Sequence, residues 1–151
     1  MKTFGIRISD SKNNVLSVQL SDLLEEIPNG PIFYWSILFL DGMPKTGEGK
    51  FINEYKNKIN KSKNGLMVDW NQIIFINERF YQIYEIIILG CKTQKFLHRY
   101  ENEQEKYESS DIVIELIDCA FWLVFSKDSE LIYRLKKKFK NVELLEPNFE
   151  K

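Results

Sequence analysis

The side chains most able to do chemistry are one histidine, His98, and two cysteines, Cys91 and Cys119. A thiol becomes a nucleophile when a histidine takes its proton and an acid orients that histidine, so Cys119, His98 and Asp118 could form such a group. Any chain with two cysteines and one histidine permits this combination. Each cysteine adjoins an apolar run, which is typical of a small core residue. We therefore expect His98 to be an ordinary loop residue and the protein not to be an enzyme.

A metal site would have to use the carboxylates of Glu108, Asp111, Glu115 and Asp118. On a strand, Glu115 and Asp118 would point to opposite faces because their positions differ by three, an odd number. The glycines of residues 42–49 lack the Gly-Lys-Ser/Thr ending of a phosphate-binding loop. We expect no metal ion and no cofactor.

Lysines are concentrated in two stretches, residues 45–63 and 127–140, each with six basic and two acidic side chains. A nucleic-acid interface would need these cations on one face with exposed aromatic side chains between them. The aromatic residues here lie on the apolar stripes of predicted helices, which favours solvated helix faces. A small nucleic-acid-binding module using the lysine-rich helices remains an alternative function, as does an uncharacterised enzyme.

The segment from residue 101 to residue 118 has seven acidic side chains and one basic side chain, Lys106, in a chain of net charge -1. Its acids are Glu101, Glu103, Glu105, Glu108, Asp111, Glu115 and Asp118. Such a segment is either a solvated loop or a docking surface for a basic partner, because localised charge steers encounter and sets register. Tyr107 lies within it, and tyrosine is common among the residues that dominate binding energy. The predicted partner-binding residues are Glu101, Glu103, Glu105, Tyr107, Glu108 and Asp111.

Hydrophobic periodicity predicts strands at residues 4–8, 15–18, 32–40, 81–91, 111–117 and 120–125, with an edge strand at 142–145. Helices are predicted at residues 22–27 and 70–79, with another ending near Lys61 and a last one ending at Lys140. Asp69 and Gln72 suit a capping box for the helix at 70–79, and Ser126 or Asp128 would cap the last helix. Asn13 and Asn14 suit a hairpin turn between the first two strands. Residues 93–110 are predicted to be a long loop or a mobile edge. Strands and helices mix without βαβ alternation. This order favours an α+β fold, with a largely antiparallel sheet and about four helices packed on it.

The 151 residues, 44% of them hydrophobic, match one ordinary domain, so we expect residues 1–151 to form a single domain. The start of the chain has no signal-peptide pattern. The longest apolar runs are far shorter than the roughly 18 residues of a membrane span. We therefore expect a cytoplasmic protein without a membrane partner.

Three parts of the sequence resemble the small bacterial immunity proteins of polymorphic-toxin and contact-dependent growth-inhibition systems. The first is residues 33–42, FYWSILFLDG. The second is residues 65–73, GLMVDWNQI, which runs into residues 80–84 and 89–91. The third is residues 114–124, IELIDCAFWLV, followed by the helix start at residues 126–129.

The resemblance implies a protein that acts by stoichiometric binding rather than catalysis. Its partner would be the C-terminal domain of a cognate toxin, in many cases a nuclease, whose active site or substrate path it blocks. Such toxins are commonly basic, which suits the acidic segment. Within the third part, Asp118 is expected to be a buried or half-buried polar anchor and Trp122 to fill the core.

Overall fold

The computed structural model describes residues 2–145 of the chain. Its strands are β1 (Phe4–Ile8), β2 (Ser11–Lys12), β3 (Val15–Leu16), β4 (Tyr34–Pro44), β5 (Leu66–Val68), β6 (Phe80–Cys91), β7 (Ile112–Ile117), β8 (Phe121–Ser126) and β9 (Val142–Leu145). Its α-helices are α1 (Leu20–Leu24), α2 (Gly49–Lys61), α3 (Trp70–Asn77), α4 (Glu103–Ser109) and α5 (Ser129–Lys138). Two 3-10 turns lie at Gly30–Ile32 and Gln94–Phe96.

Seven strands form one sheet in the order β5-β4-β6-β7-β8-β1-β9, and each neighbouring pair is antiparallel. This arrangement confirms the predicted α+β class with a largely antiparallel sheet. The long strand β6 lies between β4 and β7 in the sheet. Its second half is apolar on both sides because protein covers both faces of the sheet there.

One face of the sheet, the helix face, packs against α1, α2, α3 and α5. The core there is built around Trp35 on β4 and Trp122 on β8, which are 0% and 1% exposed. Each buried indole N–H needs an acceptor. The Nε1 atoms donate at 2.8 Å to the carbonyl oxygens of Gly30 and Val18, respectively. Trp122 therefore fills the core as predicted and also ties β8 to the segment before α1.

The other face of the sheet, the open face, carries a second and smaller apolar cluster. Its buried members are Leu38, Leu89, Cys91, Leu97, Tyr107, Val113 and Phe125. The cover over this cluster comes from α4 and from residues 96–100. The predicted burial of Cys91 is confirmed, since its side chain is 0% exposed.

Local sequence signals placed several boundaries correctly. Asp69 caps α3, with Oδ1 accepting from the Gln72 N–H and the Gln72 side chain accepting from the Asp69 N–H, both at 2.8 Å. Asp128 caps α5 by accepting from the Glu130 N–H at 3.0 Å. Asn13 and Asn14 form the expected turn with positive φ angles of 54° and 63°.

Three predictions about elements are wrong. The Asn13–Asn14 turn joins β2 to β3 in a separate two-stranded ribbon, while β1 pairs with β8 and β9. The first helix begins at Leu20 rather than Asp22, and Asp22 caps it by accepting from the Gln19 N–H at 2.8 Å. Residues 93–110 are not a loop throughout, because they contain α4 and a 3-10 turn.

Candidate protein-binding surface

The acidic segment folds into α4, which begins where its sequence supplies a cap. Asn102 Oδ1 accepts from the Glu105 N–H at 2.9 Å, which satisfies one of the free donors of the first turn. Glu103 and Glu105 lie in that turn, where negative charge is favoured by the helix dipole. The carboxylates at this end of α4 therefore stabilise the helix.

A buried polar cluster fixes α4 to the sheet. Glu115 of β7 is 3% exposed and lies under the helix. Its Oε2 is 2.5 Å from Lys106 Nζ, and its Oε1 accepts from the Tyr107 hydroxyl at 2.6 Å. Both carboxylate oxygens thus have charged or polar partners, the condition under which a buried carboxylate is tolerated.

The charges of this cluster support one another. Burial acts against the charged form of Lys106, but the attraction of Glu115 and Glu103 outweighs it and raises the pKa of Lys106 above its usual value. Burial, together with the neighbouring charge of Glu115, raises the pKa of Tyr107. Lys106 is therefore a cation and Tyr107 a neutral donor at physiological pH.

Four of the predicted contact residues lie on the surface. Glu101, Glu103, Glu105 and Glu108 are exposed, and together they are termed the acidic patch. The Glu103 carboxylate also contacts Lys106 Nζ at 2.9 Å. Burial acts to raise the pKa of Glu103, but the hydrogen bonds from Lys106 and Tyr107 and the charge of Lys106 together outweigh burial and lower this pKa. The one base of the helix is turned inward, so α4 presents a negative surface outward.

The other two predicted contact residues are not free surface residues. Tyr107 is 9% exposed, and its ring stacks on Phe125 with centroids 3.8 Å apart. Asp111 is half-buried, and its Oδ2 accepts from the Lys92 N–H at 2.7 Å. Tyr107 therefore lies on the sheet side of α4, and its role in partner binding stays a prediction.

Sequence reasoning missed the roles of Lys106 and Glu115. The signals were present: Lys106 is the lone base among seven acids, and Glu115 is the lone charge in the apolar strand β7. A charge within a buried strand requires a partner. These two observations together could have predicted the ion pair.

Sequence reasoning also missed a second acidic group, which lies near the turn between β7 and β8. Asp41 on β4 is paired in register with Glu85 on β6, and Asp118 lies in the turn after β7. A hydrogen bond to Asp118, helped by the negative charges of Asp118 and Asp41, raises the pKa of Glu85. Asp118 is exposed with φ of 46°, so the expectation of a buried or half-buried anchor is wrong. These three residues are termed the carboxylate rim.

The candidate nucleophilic group is not assembled. The His98 ring stacks on Tyr100 with centroids 3.9 Å apart, and its Nδ1 is 3.3 Å from the Arg99 carbonyl oxygen. Cys119 Sγ instead donates to the Tyr84 carbonyl oxygen at 3.6 Å. Within residues 2–145, no hydrogen bond joins His98 to Cys119 or to Asp118. Burial and the nearby carboxylates raise the pKa of the Cys119 thiol, which disfavours the reactive thiolate.

Cys119 borders a cleft of about 700 Å³ on the helix face. The cleft lies between α1, α3 and the first half of β6. Its charged lining residues are Glu25, Lys45 and Glu78. Among the described residues, no group of three or more histidine, cysteine or acidic side chains is placed to hold a metal ion.

The two lysine-rich helices lie on different strands of the helix face. α2 packs on β4 and α5 packs on β1 and β8, and these strands lie toward opposite ends of the sheet. Some of the lysines are already paired: Lys56 with Asp41 at 2.9 Å, and Lys138 with Glu25 and Glu26 at 3.2 Å. The contiguous basic footprint that nucleic-acid binding requires is therefore not formed by these helices.

Comparison with known proteins finds no matching family model, no matching curated protein and no matching solved structure. In the part of the chain that the structure describes, no helix is both long enough and apolar enough to cross a bilayer.

Proposed function

We propose that this chain is an immunity protein that binds the toxic domain of a cognate bacterial toxin, such as a nuclease, and neutralises it. It acts in the cytoplasm by covering the toxin's active site in a one-to-one complex. The action needs no turnover and no cofactor. The sequence resemblance of residues 33–42, 65–73 and 114–124 to immunity proteins supports this class.

The observation that carries the proposal is the acidic patch on an anchored helix. Its four carboxylates are exposed, while Lys106 is held inward by Glu115. A surface held rigid before binding loses less conformational entropy when a partner docks. Concentrated charge of one sign also accelerates association with a partner of the opposite sign.

A nuclease is a fitting target for such a surface. Enzymes that act on nucleic acids bind phosphates with lysine and arginine side chains. Carboxylates spaced along a helix can occupy those cations in place of phosphates. The substrate path is then blocked without any contact with the reacting atoms.

Co-expression with the toxin domain encoded beside this reading frame tests the proposal. We expect restored growth and a stable one-to-one complex by size-exclusion chromatography with light scattering. Growth protection by substoichiometric amounts of the protein would indicate turnover and contradict the proposal. Absence of a complex with the neighbouring toxin would also reject it.

A charge-matched pair of variants tests whether the acidic patch is the contact surface. The patch variant changes Glu101, Glu105 and Glu108 to Gln and keeps Glu103, which contacts Lys106. The control variant changes the exposed residues Glu54, Glu78 and Glu130 to Gln. The patch variant should associate about tenfold more slowly at low salt and the control should not, because steering depends on where charge lies. Equal rates would place the contact elsewhere.

A further inference from the structure

A strip of apolar side chains on the open face is left partly uncovered. Its members are Phe39, Ile87, Ile117, Phe121 and Leu123, and they are termed the apolar strip. Strand register places them on one face, since Phe39 pairs with Ile87 and Ile117 pairs with Phe121. Phe39 is 38% exposed, and the other four are half-buried. Helices α1, α2, α3 and α5 pack on the helix face and leave this strip without a helical cover.

The acidic patch borders the strip on one side. Glu115 lies between Ile87 and Leu123 in the same row of the sheet, because it pairs with both across its two neighbouring strands. Lys106 covers Glu115 and brings the Glu103 carboxylate above that row. The first turn of α4 therefore forms one wall of the strip.

The carboxylate rim borders the strip on the opposite side. Asp41 lies two residues after Phe39 on β4, and its partner Glu85 lies two residues before Ile87 on β6. Two residues span about 7 Å along a strand. Asp118 follows Ile117 directly and hydrogen bonds to Glu85. The pKa of Glu85 is raised by this hydrogen bond, by burial and by the charges of Asp118 and Asp41. Lys56 is the cation paired with Asp41.

The β1 end of the strip is closed by a cation. The guanidinium of Arg7 lies 4.4 Å from the centre of the Phe121 ring and 4.0 Å from the Glu143 carboxylate. The acidic walls therefore flank the β4, β6 and β7 part of the strip. The accessible surface is an apolar floor between two negative walls.

We propose that the apolar strip docks a side chain of a basic protein, with an aliphatic or aromatic group on the floor and lysine or arginine on both walls. Interfaces commonly have an apolar centre and a polar rim, and the charge of these walls selects cations. A second copy of this chain would bring carboxylates against carboxylates, and a nucleic acid or an anionic membrane would be repelled. The inference rests on the proposed function and specifies the chemistry of the segment that is bound.

Amide chemical-shift mapping of the full chain tests the inference with three capped pentapeptides. They are Lys-Lys-Phe-Lys-Lys, Lys-Lys-Gly-Lys-Lys and Glu-Glu-Phe-Glu-Glu. We expect the first to shift the amides of Phe39, Ile87 and Leu123. It should bind about tenfold more tightly than the glycine peptide, because burying a phenylalanine ring contributes roughly that factor. The acidic peptide should cause no shifts.

Two variants locate the site. Phe39→Ser removes the most exposed floor residue and should weaken binding of the first peptide several-fold. Tyr133→Ser removes a side chain that is 53% exposed on α5, on the other side of the sheet, and should leave binding unchanged. The amide spectrum of each variant reports whether it is folded.

The inference is overturned if no peptide shifts these amides, if the phenylalanine and glycine peptides bind equally, or if the shifts lie on α2 or α5. Concentration-dependent shifts without peptide would show that a second copy occupies the strip and would also overturn it. These outcomes are distinct from failure of toxin neutralisation. Peptide binding at the strip without neutralisation would reject the proposed function alone.

Discussion

Lys106 and Glu115 form an ion pair beneath α4, with Lys106 Nζ 2.5 Å from Glu115 Oε2 and side chains that are 8% and 3% exposed. A charge buried without its partner is costly, because it loses its hydration and nothing replaces it. In the pair, the attraction between the two charges offsets that loss. The pair joins a helix of the open face to a central strand of the sheet. Removing either residue therefore leaves the charge of the other buried without this partner.

Lys106→Met should lower the free energy of unfolding by about 3–5 kcal/mol, because it leaves Glu115 buried without its cation. Urea denaturation at neutral pH measures the change. Lys138→Met removes a cation from a more exposed pair and should cost about 1 kcal/mol or less.

The triple variant Lys106→Met, Tyr107→Phe and Glu115→Leu is the matched test of the mechanism. It removes the three polar groups together, so no buried charge or hydroxyl is left unpaired. Its stability should return to within about 2 kcal/mol of the wild type, since apolar replacement of buried ion pairs is often neutral. A triple variant as unstable as Lys106→Met would show that shape rather than charge anchors α4.

Tyr107→Phe should lower the free energy of unfolding by about 1.5–3 kcal/mol, because it removes a hydrogen bond to a buried carboxylate. The ring itself should remain stacked on Phe125. Tyr133→Phe changes an exposed hydroxyl and should have almost no effect. If Tyr107→Phe left stability unchanged but weakened partner binding, Tyr107 would be the contact residue that the sequence predicted.

The elements that the sequence predicted well are those with local signals. Capping residues such as Asp69 and Asp128 act on neighbouring N–H groups, so their effect can be inferred from a few positions. The alternation in residues 4–8 and the largely apolar run in residues 81–91, interrupted by Gln82 and Glu85, likewise belong to single strands. Pairing of β1 with β8 and β9 joins distant parts of the chain and has no local signal.

The acidic patch illustrates the same limit for the candidate site. The excess of acids in residues 101–118 is visible in the sequence, but α4 has seven residues and no apolar stripe. Its attachment to the sheet includes the contact of Lys106 with Glu115, which joins residues of different elements. The pairing of Glu85 with Asp118 depends on strand register and turn geometry, which composition does not encode.

Glu85→Gln should raise the melting temperature at neutral pH. The pKa of Glu85 is raised by its hydrogen bond to Asp118 and by neighbouring negative charge, so ionised Glu85 is less favourable in the folded state than in the unfolded state. This penalty is absent at low pH and develops as pH rises through the unfolded and then the folded pKa. The gain from the variant should therefore vanish near about pH 3.

Asp41→Asn provides a control of opposite sign. Its hydrogen bond with Lys56 lowers the pKa of Asp41, so the ionised form stabilises the fold above the unfolded pKa. That contribution is lost as pH falls through the folded pKa. The variant should lower the melting temperature at neutral pH and have little effect in acid. Changes of the same sign for both variants at neutral pH would contradict this assignment of charges.

Gly90→Ala should destabilise the fold by about 1–3 kcal/mol, as overpacking of a tight core does. A Cβ at Gly90 would lie 2.6 Å from the ring of Trp35, its partner on β4. Trp35 has little freedom to move away, because it is 0% exposed and its indole N–H is bonded to the Gly30 carbonyl oxygen. Gly49→Ala is the matched control at the start of α2, where an added Cβ meets no atom within 4 Å. It should stabilise the fold by about 0.4–1 kcal/mol, because alanine lowers the conformational entropy of the unfolded chain. Urea denaturation measures both variants, and equal effects would exclude the predicted clash.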